Sequence, residues 1–208
     1  MSTITLYRHP LSGHAHRAEL LLSILGLQAK LVDIDLMQGE QKQANFLAKN
    51  MFGQVPVLED GELTIADSNA ILVYLASQYD SAHTWLPIEP ALAAEVQRFL
   101  TVAAAAVSNG PATARLINLF GAQLDQARAI QIANNLFTIL NKHLENREWL
   151  VGDAPTIADL ANYAYIAHAP EGGIALKDYA HIKAWLQRIE HLSGFVAMQS
   201  SKVGLLAE

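Results

Sequence analysis

The chain has 208 residues, of which 51% are hydrophobic and 16% are charged, and its formal net charge is −6 at pH 7. This apolar content suits a packed core and excludes wholesale disorder, while the acidic balance argues against a protein that binds nucleic-acid phosphates. The absence of cysteine excludes disulfides, cysteine-based metal sites and a protein thiol nucleophile.

The first part of the chain predicts strands that alternate with helices. Alternation over residues 3–7 indicates a strand, and apolar side chains at helical spacing from Ala15 to Leu25 indicate a helix that stops at Gly26. Residues 29–35 indicate a second strand. This βαβ order is typical of an α/β domain.

A β-hairpin and a further helix complete this part. After a polar segment with a weak helical signal, residues 55–58 and 62–65 flank the turn sequence Asp60-Gly61, which favours a hairpin. A helix is expected after position 67.

The chain becomes helical after about residue 80. Residues 81–90 contain two prolines and indicate a linker. Four helices are expected beyond it: from residue 91, over 123–145, from 156 to before 170, and around 182–189, with Gly110-Pro111 interrupting the first. The predicted fold class is therefore α/β plus all-α, with domains at 1–80 and 91–208 joined by the linker 81–90.

No targeting or membrane segment is indicated. The first residues contain no basic region leading into an apolar one, and the longest apolar stretch, near Val102 to Val107, is far shorter than the roughly 20 residues of a membrane span. We expect a cytoplasmic protein that binds neither a membrane nor nucleic acid.

Pro56 stands at the entrance to a strand and has two interpretations. A trans proline there would be an ordinary edge residue. A cis proline would turn Val55 outward, so that its backbone N–H and C=O could pair with an extended peptide.

Polar residues stand at three predicted helix starts. Ser12 precedes the first helix, where it either caps the helix or donates a hydrogen bond to an incoming thiolate. Asp67 and Ser68 either cap the next helix or bind an ammonium and a carboxylate. Thr156 and Asp159 match a capping box, which we interpret as structural.

A tyrosine and two histidines lie close to Ser12 in the sequence. Tyr7 is a rival phenol donor, although its place in an alternating strand favours packing. His14 and His16 are two residues apart and would not share a helix face as a metal pair, so no metal is expected.

These signals occur together and in order, and with them the chain resembles a soluble glutathione transferase along essentially its whole length. The residues that carry this resemblance are 5–17, 39–42, 50–61, 67–71, 150–153, 156–159 and 185–195. Met51 and Ser193 stand where the family commonly has proline. The resemblance implies a thioredoxin-like, glutathione-binding domain followed by a helical-bundle domain.

The resemblance also implies a role for each site residue. Val55, before Pro56, would pair with the cysteinyl unit of glutathione, and Asp67 and Ser68 would hold its γ-glutamyl ammonium and carboxylate. Ser12 matches the catalytic hydroxyl of the serine-type classes. The full implied set of glutathione ligands is Ser12, Gln41, Lys42, Gln54, Val55, Pro56, Asp67 and Ser68.

The glycyl end of glutathione is assigned in the same way. Gln54 and Lys42 would hold it, with Lys42 near the carboxylate. Gln41 falls where related sequences often have histidine.

The implied function is a glutathione transferase that activates its co-substrate as a thiolate for attack on small hydrophobic electrophiles. Ser12, His14 or a backbone amide would stabilise the thiolate, and an apolar wall near Leu11 and residues 109–116 would include Arg115 as a polar element. A homodimer with a role in detoxification is expected. The alternatives are a glutathione-dependent peroxidase, dehalogenase or isomerase, or a non-catalytic binding protein of the same fold.

Overall fold

The computed structural model describes residues 4–207 and divides the chain into two compact units. The first unit runs up to His83 and adds Ser193–Gln199 from near the C-terminus. The second unit comprises Thr84–Leu192 and the chain from Ser200 onward.

The domain limits of 1–80 and 91–208, with the linker 81–90, stay a prediction. Residue 3, where the first predicted strand begins, lies outside the described residues.

The first unit contains a four-stranded mixed sheet flanked by helices, in the spatial order β2-β1-β3-β4. β1 pairs parallel with β2 and antiparallel with β3, and β3 pairs antiparallel with β4. The strands are β1 (Ile4–Arg8), β2 (Ala29–Asp33), β3 (Val57–Asp60) and β4 (Leu63–Ala66). The helices are α1 (Gly13–Ile24), α2 (Ala44–Leu47) and α3 (Ser68–Tyr79).

The core of this unit lies between β1, β3 and the helices α1 and α3. In β1 the side chains of Ile4 and Leu6 are buried and those of Thr5 and Tyr7 are half-buried, as strand alternation requires. At the end of β3 the buried carboxylate of Asp60 accepts hydrogen bonds from the phenols of Tyr74 and Tyr79 in α3. These bonds join the middle and the end of α3 to the hairpin.

The second unit is helical. Its helices are α4 (Pro90–Val102), α5 (Thr113–Phe120), α6 (Gln126–His143), α7 (Ile157–Ala167) and α8 (Ala180–Glu190). A π-helical segment, Ala103–Ala112, joins α4 to α5, and a 3₁₀ turn, Ala169–Gly172, follows α7. The predicted order of an α/β part followed by helices is confirmed.

The predicted interruption at Gly110-Pro111 is wrong, because the helix continues from Pro90 to Phe120. Pro111 has no amide hydrogen for a helical bond, and the wider π turn accommodates it. A Cβ on Gly110 would lie 3.0 Å from the backbone nitrogen of Ala133 in α6. This glycine therefore permits close helix packing instead of breaking the helix.

The long helix Pro90–Phe120 also has an unusual surface. Among residues 4–207 it alone is long and apolar enough to cross a membrane by length and composition, and 28% of its most apolar window is buried. A helix of a soluble protein can meet the same criteria.

The predicted capping box is confirmed at the start of α7. The amide of Ala158 donates to Thr156 Oγ1 at 3.2 Å, and the amide of Thr156 donates to Asp159 Oδ2 at 2.9 Å. The other oxygen of Asp159 accepts from the Leu150 amide and from the indole of Trp185 in α8. This buried carboxylate therefore ties α7 to α8 and to the loop before α7.

Candidate active site

Ser12 caps α1, as one of its two interpretations predicted. Its Oγ accepts a hydrogen bond from the Ala15 amide at 3.2 Å. This cap uses a lone pair of the oxygen and leaves its hydrogen, so the same hydroxyl can donate to a second group. The helix N-terminus also favours an anion at this position.

Tyr7 is engaged on the sheet. Its phenol donates to Glu59 Oε2 at 2.8 Å, and Glu59 also pairs with Lys49, whose ammonium lies 4.9 Å from the centre of the Tyr7 ring. Burial and the Glu59 carboxylate raise the pKa of Tyr7. These contacts favour the packing role predicted for Tyr7 over donation to a ligand thiolate.

The structure brings Gln41 and Lys42 to the loop that precedes β3. The ammonium of Lys42 donates to the carbonyl of Phe52 at 3.1 Å. Gly53 has φ +58°, and a Cβ there would lie 2.7 Å from the Gln41 carbonyl oxygen and 2.9 Å from Lys42 Nζ. Only glycine fits this backbone at such close approach.

The same loop is held in shape by Asn50, which sequence reasoning did not single out. Its side-chain amide donates to the Gln54 carbonyl at 2.8 Å, and its Oδ1 accepts from the Phe52 amide at 3.0 Å. Asn50 is 6% exposed. The peptide bond between Val55 and Pro56 is cis, which was one of the two predicted alternatives.

Asp67 caps α3 and adopts an unusual backbone conformation. Its Oδ1 accepts from the amides of Asn69 and Ala70, both at 2.9 Å, while its φ is +80°. Within residues 4–207 no hydrogen bond to Asp67 Oδ2 is found. A positive φ in a residue other than glycine is a strained conformation that concentrates at functional sites.

Ser68 is buried and contacts two side chains of α1. Arg17 NH1 donates to Ser68 Oγ at 3.2 Å and to Asn69 Oδ1 at 2.8 Å, and His14 Nδ1 lies 3.4 Å from Ser68 Oγ. Burial and the nearby Arg17 charge lower the pKa of His14 to about 3, so His14 is neutral at pH 7. These contacts bring the first turns of α1 and α3 together.

Sequence reasoning did not predict the role of Arg17. The side chain is 1% exposed and stands four residues before Leu21, on the apolar face of α1. The sequence did contain one signal for this role, a single charge on an otherwise apolar helix face. A charge buried there requires polar partners, which predicts contacts with polar residues of another element.

His14 and His16 have different partners. His16 Nε2 lies 2.8 Å from the Val196 carbonyl oxygen, whereas His14 lies beside Ser68. The part of the chain that the structure describes contains no group of three histidine, aspartate or glutamate side chains placed to hold a metal.

The expectation that Arg115 contributes to an apolar substrate wall is wrong. Its side chain is 3% exposed, and its Nε donates to Glu171 Oε2 at 2.6 Å, a carboxylate that is itself fully buried. The guanidinium is therefore committed to an ion pair inside the helical unit.

Comparisons with known proteins support one family for both units. The profile described as "Glutathione S-transferase, N-terminal domain" matches residues 2–77, and the one described as "Glutathione S-transferase, C-terminal domain" matches residues 111–193. Glutathione S-transferase 3 of Zea mays is 35% identical over 201 residues, covering 91% of this chain and 90% of its own. Glutathione S-transferase F10 of Arabidopsis thaliana is 33% identical over 200 residues, covering 89% and 91%.

Solved structures of similar proteins have the same fold. The glutathione S-transferase of Pseudomonas fluorescens Pf-5 superposes with a TM-score of 0.89 at 31% identity, over 96% of this chain and all of that one. A glutathione transferase homologue of Drosophila mojavensis, solved with bound glutathione, has a TM-score of 0.82 at 27% identity, over 92% and 89%.

Proposed function

The chain belongs to the glutathione S-transferase family and is a glutathione transferase with a thioredoxin-like first unit, and from that premise we propose which of its residues bind and activate glutathione. The observation that carries the proposal is the contact between the first turns of α1 and α3. This contact, made by Arg17 and His14 with the start of α3, supports a single site that would include Ser12 of one helix start and Asp67 and Ser68 of the other.

Ser12 is the residue proposed to activate the thiol. A thiol of this kind has a pKa of about 8.5, so only a few per cent is ionised at neutral pH. A hydrogen bond from the Ser12 hydroxyl, together with the dipole of α1, would lower this pKa by about two units, which is worth roughly 3 kcal/mol. Neutral His14, whose ring is beside Ser68, and a backbone amide of the α1 turn remain the alternatives.

The γ-glutamyl end is assigned to the start of α3. Asp67 presents Oδ2 to the ligand ammonium while Oδ1 keeps the helix capped. Ser68 and the amides of the first turn receive the carboxylate, as helix N-termini commonly do.

The remainder of glutathione is assigned to the loop before β3. Val55, preceding the cis Pro56, pairs its backbone with the cysteinyl unit. Lys42, Gln41 and Gln54 hold the glycyl end, with the Lys42 ammonium near the terminal carboxylate. The Lys42 contact is expected to be weak because that side chain is exposed.

The second substrate is proposed to be a small hydrophobic electrophile, and the setting a cytoplasmic role in detoxification. Turnover with aryl halides, hydroperoxides and enals, measured for the wild type and for Ser12→Ala, tests the substrate class and the role of Ser12. Conjugation of the halides and enals with loss of rate in the variant supports the proposal. Hydroperoxide reduction alone would favour the peroxidase alternative, and glutathione binding without any turnover would favour a binding protein.

A homodimer is also proposed. Each unit exposes large apolar side chains, including Met51 at 78% and Phe52 at 67% in the first unit and Ile88 at 77% beside the apolar helix of the second. Apolar surface of this kind is typical of an interface, and a two-fold pairing is the commonest assembly. Light scattering at micromolar concentration is expected to give twice the chain mass, and the mass of one chain would contradict this.

A further inference from the structure

The hydroxyl oxygen of Ser68 contacts two side chains of α1, those of Arg17 and His14. Arg17 NH1 donates to its oxygen at 3.2 Å, and His14 Nδ1 lies 3.4 Å from the same oxygen. Ser68 itself is 5% exposed. A serine hydroxyl has one hydrogen to donate and two lone pairs with which to accept.

The two neighbours differ in what they can do. A guanidinium has no acceptor, so Arg17 can only donate, and it fills one lone pair of Ser68. A neutral imidazole has one protonated and one unprotonated nitrogen. His14 Nδ1 therefore either accepts the Ser68 hydrogen or, when it is itself protonated, fills the second lone pair.

These two arrangements have opposite consequences for an arriving anion. If Ser68 donates to His14, its hydrogen is used inside the protein and a carboxylate would meet only oxygen lone pairs. If His14 donates to Ser68, both lone pairs are filled and the hydroxyl hydrogen has no use except toward the ligand. Donors that converge on a hydroxyl also polarise it and strengthen its outward hydrogen bond.

We propose that His14 is a positioning residue for the α-carboxylate of the γ-glutamyl unit: in the glutathione complex its Nδ1–H donates to Ser68 Oγ, so that Ser68 donates to that carboxylate. This inference rests on the proposed role of Ser68 at the γ-glutamyl end. It assigns His14 to recognition of the ligand carboxylate, in contrast to a role at the sulfur. The lowered pKa of His14 agrees with this proposal. A neutral ring carries a single N–H, so the nitrogen that holds the proton decides whether His14 donates to Ser68 or accepts from it.

The experiment compares two ligands by calorimetry: glutathione, and 4-aminobutyryl-cysteinyl-glycine, which is the same tripeptide without the α-carboxylate. The ratio of the two dissociation constants measures recognition of that carboxylate alone. A hydrogen bond to a charged group predicts a preference for glutathione of about tenfold or more in the wild type.

Three variants separate the possible roles. Ser68→Ala and His14→Leu are each expected to reduce the preference by about tenfold, which is the share of the Ser68 hydrogen bond, while the amides of the first turn of α3 keep the remainder. His14→Asn is expected to keep it, since the Asn amide can donate from near the position of Nδ1. His16→Gln, on the same helix but facing Val196, is the matched control and should leave the ratio unchanged.

The results distinguish failure of the inference from failure of the site. If Ser68→Ala loses the preference and His14→Leu retains it, the role of His14 is overturned while the Ser68 contact stands. If Ser68→Ala retains the preference, the Ser68 contact in the proposed function fails, and the role of His14 fails with it.

A second measurement does not depend on the folding of any variant. ¹⁵N NMR of the imidazole of His14 in the wild-type complex reports which nitrogen carries the proton. Protonation at Nδ1 in the glutathione complex supports the inference, and protonation at Nε2 overturns it.

Discussion

Within residues 4–207 each unit of this transferase contains a buried arginine, and the two arginines donate hydrogen bonds to oxygens of different charge. Arg17 in the first unit is 1% exposed, and its NH1 donates to the neutral oxygens of Ser68 and Asn69. Arg115 in the second unit is 3% exposed, and its Nε donates to the carboxylate of Glu171. A neutral oxygen accepts a hydrogen bond from the guanidinium but does not neutralise its positive charge. A carboxylate accepts the hydrogen bond and also neutralises the charge.

The Glu171 cluster is closed within its own unit. Besides Arg115, the carboxylate is 2.6 Å from His168 Nδ1 and accepts from the Ser201 amide at 3.1 Å. Burial opposes the ionisation of Glu171, but the hydrogen bond to His168 and the Arg115 charge outweigh burial and lower its pKa. A Cβ on Gly204 would lie 2.4 Å from the Glu171 carbonyl oxygen, so the C-terminal segment packs directly on this cluster.

The partners of the two arginines suggest different roles for them. Arg115 is paired with a carboxylate inside its own unit, so loss of that pair should affect folding alone. Arg17 donates to Ser68 and Asn69 in the first turn of α3, where a ligand anion is proposed to bind. Substitutions in the two regions should therefore separate a loss of stability from a loss of glutathione affinity.

Glu171→Ala should lower the free energy of unfolding by about 3–5 kcal/mol, because removing one partner leaves the Arg115 charge buried and uncompensated. Urea unfolding at fixed protein concentration measures this. Glutathione affinity of the folded protein should be unchanged. Glu145→Ala, which breaks the exposed pair with Lys142, is the matched control and should leave the free energy of unfolding almost unchanged. An equally small loss for Glu171→Ala would contradict the structural reading of the pair.

Ser12→Ala should raise the pKa of enzyme-bound glutathione by about one unit, equivalent to roughly 1.4 kcal/mol of thiolate stabilisation, because the dipole of α1 remains. Stability should fall by only about 1 kcal/mol, because the hydroxyl also caps α1. Thiolate absorbance of the complex against pH measures the shift, and the rate–pH profile should move upward with it. If His14→Ala moves that titration and Ser12→Ala does not, the serine assignment fails.

Asp67→Ala should weaken glutathione binding by about 1.5–3 kcal/mol, since the ligand ammonium loses a charged partner. Asp67→Asn keeps an oxygen for the cap and loses only the charge, so it should weaken binding with less effect on unfolding. Calorimetry and urea midpoints together separate the two roles. Lys42→Ala is expected to have a smaller and salt-dependent effect. A dissociation constant unchanged by either substitution of Asp67 would remove it from the site.

His14 should make stability fall in mildly acidic solution. Its folded pKa of about 3 lies below its ordinary value of 6.5, so the unfolded chain binds its proton first. This contribution is complete above pH 6.5 and is lost as the pH falls toward 3, by at most about 1.4 kcal/mol per pH unit. The free energies of unfolding obtained from urea titrations at pH 7 and pH 5 should differ by about 1–2 kcal/mol less in His14→Asn than in the wild type. The same difference in both proteins would contradict the prediction.

Local signals predicted much of the first unit and the helix starts of both units. The sequence predicted three helix caps, at Ser12, Asp67 and Thr156. It could do so because each capping hydrogen bond joins residues no more than three positions apart. The hairpin turn Asp60-Gly61 is local in the same way. The set of glutathione ligands came from resemblance to a family and remains to be tested by the experiments above.

What the sequence determined by itself was therefore the order of strands and helices and the capping of the helices, since these depend on neighbours within one turn. Only the tertiary structure decided the partners of the two buried arginines, which are 51 residues from Ser68 in one case and 56 from Glu171 in the other. It likewise decided that Gly110 packs against Ala133 and does not interrupt the helix. Such pairings depend on which faces of distant elements meet, and helical or strand periodicity carries no information about that choice.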